Sequence, residues 1–144
     1  MNNDALFYEC SLIEYIARQT KNRRCDVVKK LGGDIKRIYD YAEVFHCEPI
    51  EKVADDFIQK NSISDGHYDN VAECRYTIPD YWDIGEVFAR LIEDCYEGEN
   101  LVNGIKEVYG SWMADQILNF NSDLYYQSRE YIALCYKEGK MLLA

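Results

Sequence analysis

The sequence predicts an all-α protein, a compact bundle of about seven or eight short amphipathic helices. Three observations carry that expectation. Apolar residues recur at three- and four-residue steps along nearly the whole chain. Residues that start or stop helices (Gly32-Gly33, Asp80, Gly110, Ser128) fall between those stripes. Strand-like alternation is confined to residues 74–78, which have no visible pairing partner. At 144 residues, 48% hydrophobic and 29% charged, the chain has the size and composition of one globular domain with a core that needs no staples.

Leu6, Cys10, Ile13 and Ala17 mark the first helix, and Phe7 and Ile16 widen its stripe. A short second helix runs from Cys25 to Leu31 and stops at Gly32-Gly33, where the chain can turn left-handed at little cost. Asp34 is placed to cap a third, with Ile35, Ile38, Tyr41, Ala42 and Phe45 on one face. Pro49 suits the first turn of a fourth helix that buries Val53, Ala54, Phe57 and Ile58. Residues 61–79 are turn-rich, and an extended connector is expected there.

Asp80 reads as the cap of the fifth helix, whose stripe is Ile84, Val87, Phe88, Leu91, Ile92 and Cys95, stopped by Gly98. Leu101, Ile105 and Val108 make a sixth that ends before Gly110. Ser111 caps a seventh carrying Met113, Ile117 and Leu118. Leu124 opens the last segment, recapped at Ser128, and Tyr131, Leu134 and Cys135 carry it to Gly139. The resulting organisation is a single helical domain over 1–144. It has an N-terminal half (1–60), a connector (61–79) and a C-terminal half (80–144), either as one bundle or as two packed halves with a seam at the connector.

Charge is divided unevenly between those halves. Residues 1–60 hold 10 Lys/Arg against 11 Asp/Glu, and residues 61–144 hold 6 against 15, so nearly all of the net charge of −10 lies after residue 60. Such a surface repels nucleic acid and anionic membranes and favours a protein partner with a basic surface. The N-terminus has no charged-then-apolar leader, and no apolar run approaches a membrane span, so a cytoplasmic location is expected. In that compartment the six widely spaced cysteines read as reduced, several of them as small buried hydrophobic residues. Tyr supplies 13 of the 20 aromatic residues, which suits core margins and interfaces alike.

No catalytic or metal signature is visible, and no cofactor is expected. His46, Cys47 and His67 are the only seeds of a metal or nucleophile site. Neighbours on a helix point about 100° apart, so His46 and Cys47 do not converge on one ion. Asp55-Asp56 and Glu93-Asp94 are paired acids on amphipathic helices, where solvated surface is the plain reading. Gly32-Gly33 lacks the Lys-Ser/Thr of a phosphate loop. Two charged clusters offer sharper readings. Glu93, Asp94, Tyr96 and Glu97 combine steering charge with an amphipathic anchor and are the candidate partner-binding residues. Residues 18–37 form a basic run, with Arg23, Arg24, Lys29 and Lys30 as candidate phosphate contacts and Lys36 or Arg37 poised for a groove if two helices form a helix-turn-helix.

The order Phe7-Tyr8, Ile13-Glu14-Tyr15-Ile16-Ala17, Val27-Val28, Leu31 and Ile38-Tyr39 continues as Tyr41-Ala42-Glu43-Val44-Phe45-His46 and Glu51-Lys52-Val53-Ala54-Asp55-Asp56-Phe57-Ile58. It resembles a family of short uncharacterised bacterial domains that are often encoded beside predicted ADP-ribosyltransferase-like proteins. By gene neighbourhood, the resemblance implies an antitoxin-like or accessory binding role, with no established catalytic residues to carry over. The Gly32-Gly33 stop and everything after residue 61 go beyond its pattern. The expectation is therefore a non-enzymatic protein-binding module. The alternatives are a DNA-binding regulator using residues 18–37 and a small enzyme built around His46 or His67.

Overall fold

A computed structural model describes residues 4–142, and among them every regular element is helical. In chain order these are α1 (Asp4–Thr20), α2 (Arg24–Leu31), α3 (Asp34–Asp40), α4 (Ala42–Phe45) and α5 (Ile50–Lys60). After the connector come α6 (Tyr81–Cys95), α7 (Asn100–Tyr109), α8 (Trp112–Leu118), a 3-10 turn (Leu124–Tyr126) and α9 (Arg129–Glu138). The expected third helix is two, because Tyr41 sits at φ −115°, ψ 24°, outside helical geometry, and separates α3 from α4. Asp34 is not its cap either: Gly33 holds that place, and the Asp34 carboxylate instead accepts from Lys60 Nζ at 2.8 Å and Asn61 Nδ2 at 3.1 Å.

Two of the four caps read from the sequence form. Asp80 Oδ1 accepts from the Asp83 amide at 2.7 Å, and Ser128 Oγ accepts from the Tyr131 amide at 3.2 Å. Ser111 occupies the cap position of α8, but its hydroxyl turns back and donates to the Val108 carbonyl at 2.7 Å. Along α9 the buried residues are Ile132, Ala133 and Cys135, while Leu134, expected on that face, is exposed. Residues 71–78 form no strand. The connector is instead fastened by two backbone bonds, the Gly66 amide donating to the Thr20 carbonyl at 2.7 Å and the Tyr68 amide to the Lys21 carbonyl at 2.8 Å, and by side chains: Arg18 Nη2 donates to the Pro79 carbonyl at 2.7 Å, and Asn22 Nδ2 to the Ser64 carbonyl at 2.8 Å. Asn121 receives the Arg75 amide at 2.8 Å and donates to the Glu73 carbonyl at 3.0 Å. No described helix is long and apolar enough to cross a membrane.

α1 is the axis of the core. Its apolar residues Leu6, Leu12, Ile13, Ile16 and Ala17 are fully buried, and α2 to α6 all pack on it. The tightest approach is to α6, at Gly85. A Cβ there would lie 2.4 Å from Ser11 Oγ and 2.8 Å from the Ser11 Cα and amide nitrogen, so the two helix backbones meet at a position only glycine fits. Farther along, Phe88 of α6 stacks on Tyr109 of α7 with centroids 4.3 Å apart and planes 18° from parallel.

A helix buried on so many sides must account for its polar residues. Glu14 is fully buried and paired with Arg24, which opens α2 and is itself 1% exposed. Arg24 Nε donates to Glu14 Oε1 at 3.1 Å, with Nη2 at 3.1 Å from the same oxygen. Arg24 Nη1 donates onward to Asn70 Oδ1 at 3.2 Å, and Asn70 Nδ2 to the Leu118 carbonyl at 2.9 Å. The chain of contacts joins α1, α2, the connector and α8 through one buried guanidinium. It is incompletely satisfied, since Glu14 Oε2 has no hydrogen-bond partner, and such a pair costs desolvation as well as gaining attraction.

Two outcomes are expected from these contacts. Gly85→Ala should lose stability by about 1–3 kcal/mol through overpacking, despite the better helix propensity of alanine, as a lowered urea midpoint will show. Arg24→Met alone should cost about 3–5 kcal/mol by stranding Glu14, and adding Glu14→Gln should recover much of that loss in a double-mutant cycle of urea unfolding.

Candidate partner-binding cleft

A cleft of about 770 Å³ with an aromatic wall lies against the first turn of α1. Asp4, Ala5, Phe7 and Tyr8 come from α1, Tyr39 from α3, Ala42 and Glu43 from α4, and His46 from just beyond it. Trp82 enters from the start of α6, and Gly98 and Leu101 from the far side of that helix and the start of α7.

Its walls are flat rings. Phe7 and Trp82 lie 5.4 Å apart with planes at 40°, and Tyr81 continues the row 5.2 Å from Trp82. The Tyr8 ring meets His46 edge-on at 5.5 Å. The polar groups are acidic: Asp4 and Glu43 line the cleft, and no lysine or arginine does so among the described residues. Glu48 acts electrostatically on Tyr8, and Glu97 and Glu99 flank the lining residue Gly98. Tyr41 and Val44 are also exposed but do not line the cleft.

The candidates named from sequence are scattered by the fold. Glu93 and Asp94 face α9, where Arg129 Nη2 donates to Asp94 Oδ1 at 2.7 Å and to Glu93 Oε1 at 3.1 Å, and Nε to Asp94 Oδ2 at 3.0 Å. The bidentate hold keeps the Arg129 guanidinium charged to well above its ordinary pKa, Asp94 contributing most. Tyr96 is half-buried, and its hydroxyl shares a 2.6 Å hydrogen bond with Tyr136. Of the four, Glu97 alone is exposed and beside the cleft.

In the basic run, Arg24 must be corrected: fully buried against Glu14, it cannot reach a phosphate. Arg23 is exposed but paired with Asp115 at 2.7 Å, and Lys36 with Asp40 at 2.6 Å. Lys29 and Lys30 are exposed and line a hollow of about 420 Å³ that they share with Asp26 and Asp65. Asp55 and Asp56 lie on the outer face of α5, Asp56 3.3 Å from Lys52. His67 is exposed in the connector. All six cysteines are free, and among the described residues no three His, Cys, Asp or Glu side chains converge as a metal site.

Sequence reasoning missed the cleft because five separate segments build it. The signals that point there are local: Glu43 and His46 stand three residues apart, and Tyr81-Trp82 crowds two large rings into the first turn of α6. The chain matches no family model, no curated protein and no solved structure.

Two buried polar groups at the α1 end of the cleft are without hydrogen-bond partners. The Tyr8 hydroxyl is one, in a side chain 4% exposed. Burial, aided by Glu48, pushes its pKa up to about 12, so the phenol stays protonated. The other is Glu9, fully buried, with both carboxyl oxygens unpartnered. Burial, then the Asp40 carboxylate, raises the Glu9 pKa well above the glutamate range, and it is held as the neutral acid. A raised acid makes the folded state bind the extra proton. Its contribution is therefore complete below the ordinary glutamate pKa and is lost as pH rises through that value toward the folded one. Glu9→Gln should remove this decline, matching the wild type near pH 4 and exceeding its stability at pH 7, as urea unfolding across that range will measure.

Proposed function

We propose that this chain is a protein-binding module that receives a short basic segment of its partner in the aromatic trough between α1, α4 and α6. The observation that carries the reading is the lining itself: a hollow of about 770 Å³ with Phe7, Tyr39 and Trp82 among its walls, Asp4 and Glu43 as its charged groups and no basic residue among those described. Aromatic anchors supply contact area, and the surrounding acids speed encounter with a positive partner and reject a negative one.

An antitoxin-like or accessory role is compatible with this mode of binding, because a module that occupies a partner's basic segment can restrain or position that partner. The relevant acids are those at the cleft. Glu93 and Asp94, engaged by Arg129, are spent on holding α9.

A fluorescein-labelled peptide alternating arginine with leucine tests the reading by anisotropy. The wild type should bind it, more weakly as salt is raised, and Glu43→Lys should reduce affinity by about tenfold or more. Asp94→Asn, which touches only the Arg129 pairing, should leave affinity unchanged. Binding that is undiminished in Glu43→Lys, or absent at low salt, overturns the proposal.

A further inference from the structure

We infer that the trough reads one arginine side chain of the partner, with the Tyr8 hydroxyl as a receiving group at its floor and the Phe7 and Trp82 rings as the faces against which the guanidinium stacks. The inference rests on the basic-segment reading above and adds to it the identity of the residue recognised.

The starting observation is an imbalance. Tyr8 lines the cleft and is 4% exposed, yet its hydroxyl has no hydrogen-bond partner among the described residues. A buried polar group without a partner costs stability, and a position that retains one invites a reason. A ligand carrying N–H donors would supply the missing bond. The phenol is neutral at physiological pH, so its oxygen accepts from a cation without adding a second formal charge.

The rest of the lining selects among donors. Asp4 and Glu43 favour a positive group over a neutral amide. The Phe7 and Trp82 rings, 5.4 Å apart and tilted by 40°, both line the cleft and offer flat apolar surface there. A guanidinium is planar, weakly hydrated and rich in fixed donors, so it can stack on a ring and reach a hydroxyl and a carboxylate together. An ammonium is compact, strongly hydrated and gains less from flat walls. The chemistry therefore favours arginine over lysine and either over an uncharged isostere.

The test uses the full chain and three short peptides of the form leucine–X–leucine, capped at both ends, with X as arginine, lysine or citrulline. Affinity and site are read from amide and indole NMR shifts, with Trp82 as the reporter. The arginine peptide should shift the Trp82 indole and bind about tenfold more tightly than its citrulline counterpart, with lysine between them. Tyr8→Phe should bind the arginine peptide several-fold more weakly while melting no lower than the wild type, since it removes an unpaired buried hydroxyl. A merely structural tyrosine would not separate those two readouts. If the arginine and citrulline peptides bind the cleft equally, or Tyr8→Phe leaves affinity unchanged, the arginine inference fails and the basic-segment reading survives wherever Glu43→Lys still weakens the leucine–arginine peptide. If no basic peptide binds at low salt, both fall.

Discussion

The burial of α1 is the constraint on which the remainder of the molecule rests. Five helices pack on one, and the approach of α6 is so close at Ser11 and Gly85 that no side chain fits between the backbones. Between Tyr8 and Glu14, where every residue is buried, the helix has no solvated face to which polar residues can be consigned. Glu9 and Glu14 therefore have to be resolved inside, and they are resolved differently: Glu14 by a guanidinium, Glu9 by keeping its proton. The Arg24 contact then ties α2, the connector residue Asn70 and the end of α8 to the same axis, and adds side-chain anchorage to the backbone bonds by which the Gly66 and Tyr68 amides hold the connector to the end of α1.

The cleft follows from that arrangement. The elements that meet the first turns of α1 (the end of α3, the four-residue α4 and the first turn of α6) are short or terminal there. Rings that are core-facing elsewhere in the bundle become the walls of an open trough at this end. The break at Tyr41 contributes directly: by ending α3, it lets α4 turn so that Ala42 is buried while Glu43 and His46 reach the cleft.

What the sequence makes legible is what local chemistry decides. Asp80 and Ser128 cap their helices through short side-chain bonds to nearby amides, and Gly32 ends α2 at φ 53°. The apolar spacing of α1, α5 and α7 maps closely onto their buried faces. Contacts between distant residues are not legible this way. A basic run normally lies in water, and nothing beside Arg24 in the sequence announces that Glu14 will draw it into the core. Glu93 and Asp94 look like a free acidic patch because Arg129, some 35 residues on, is not a local neighbour. Asp34 illustrates the competition within one residue, since a lysine and an asparagine at the end of α5 outbid the helix amides for its carboxylate. The cleft was the least legible feature of all, since no one of its segments contains enough of the lining to form a pattern.

The neutral Glu9 has a consequence for how the protein exchanges protons with its surroundings. Composition assigns the chain a formal charge of −10, but a glutamate that keeps its proton makes the folded form less negative than that count. Unfolding near neutral pH exposes this carboxyl to water, where it ionises and hands a proton to the buffer. The heat of unfolding thus contains the buffer's own enthalpy of protonation, and differs between phosphate and Tris at the same pH. The molecule is, in this sense, a small reservoir of acidity that opens only when its central helix is released.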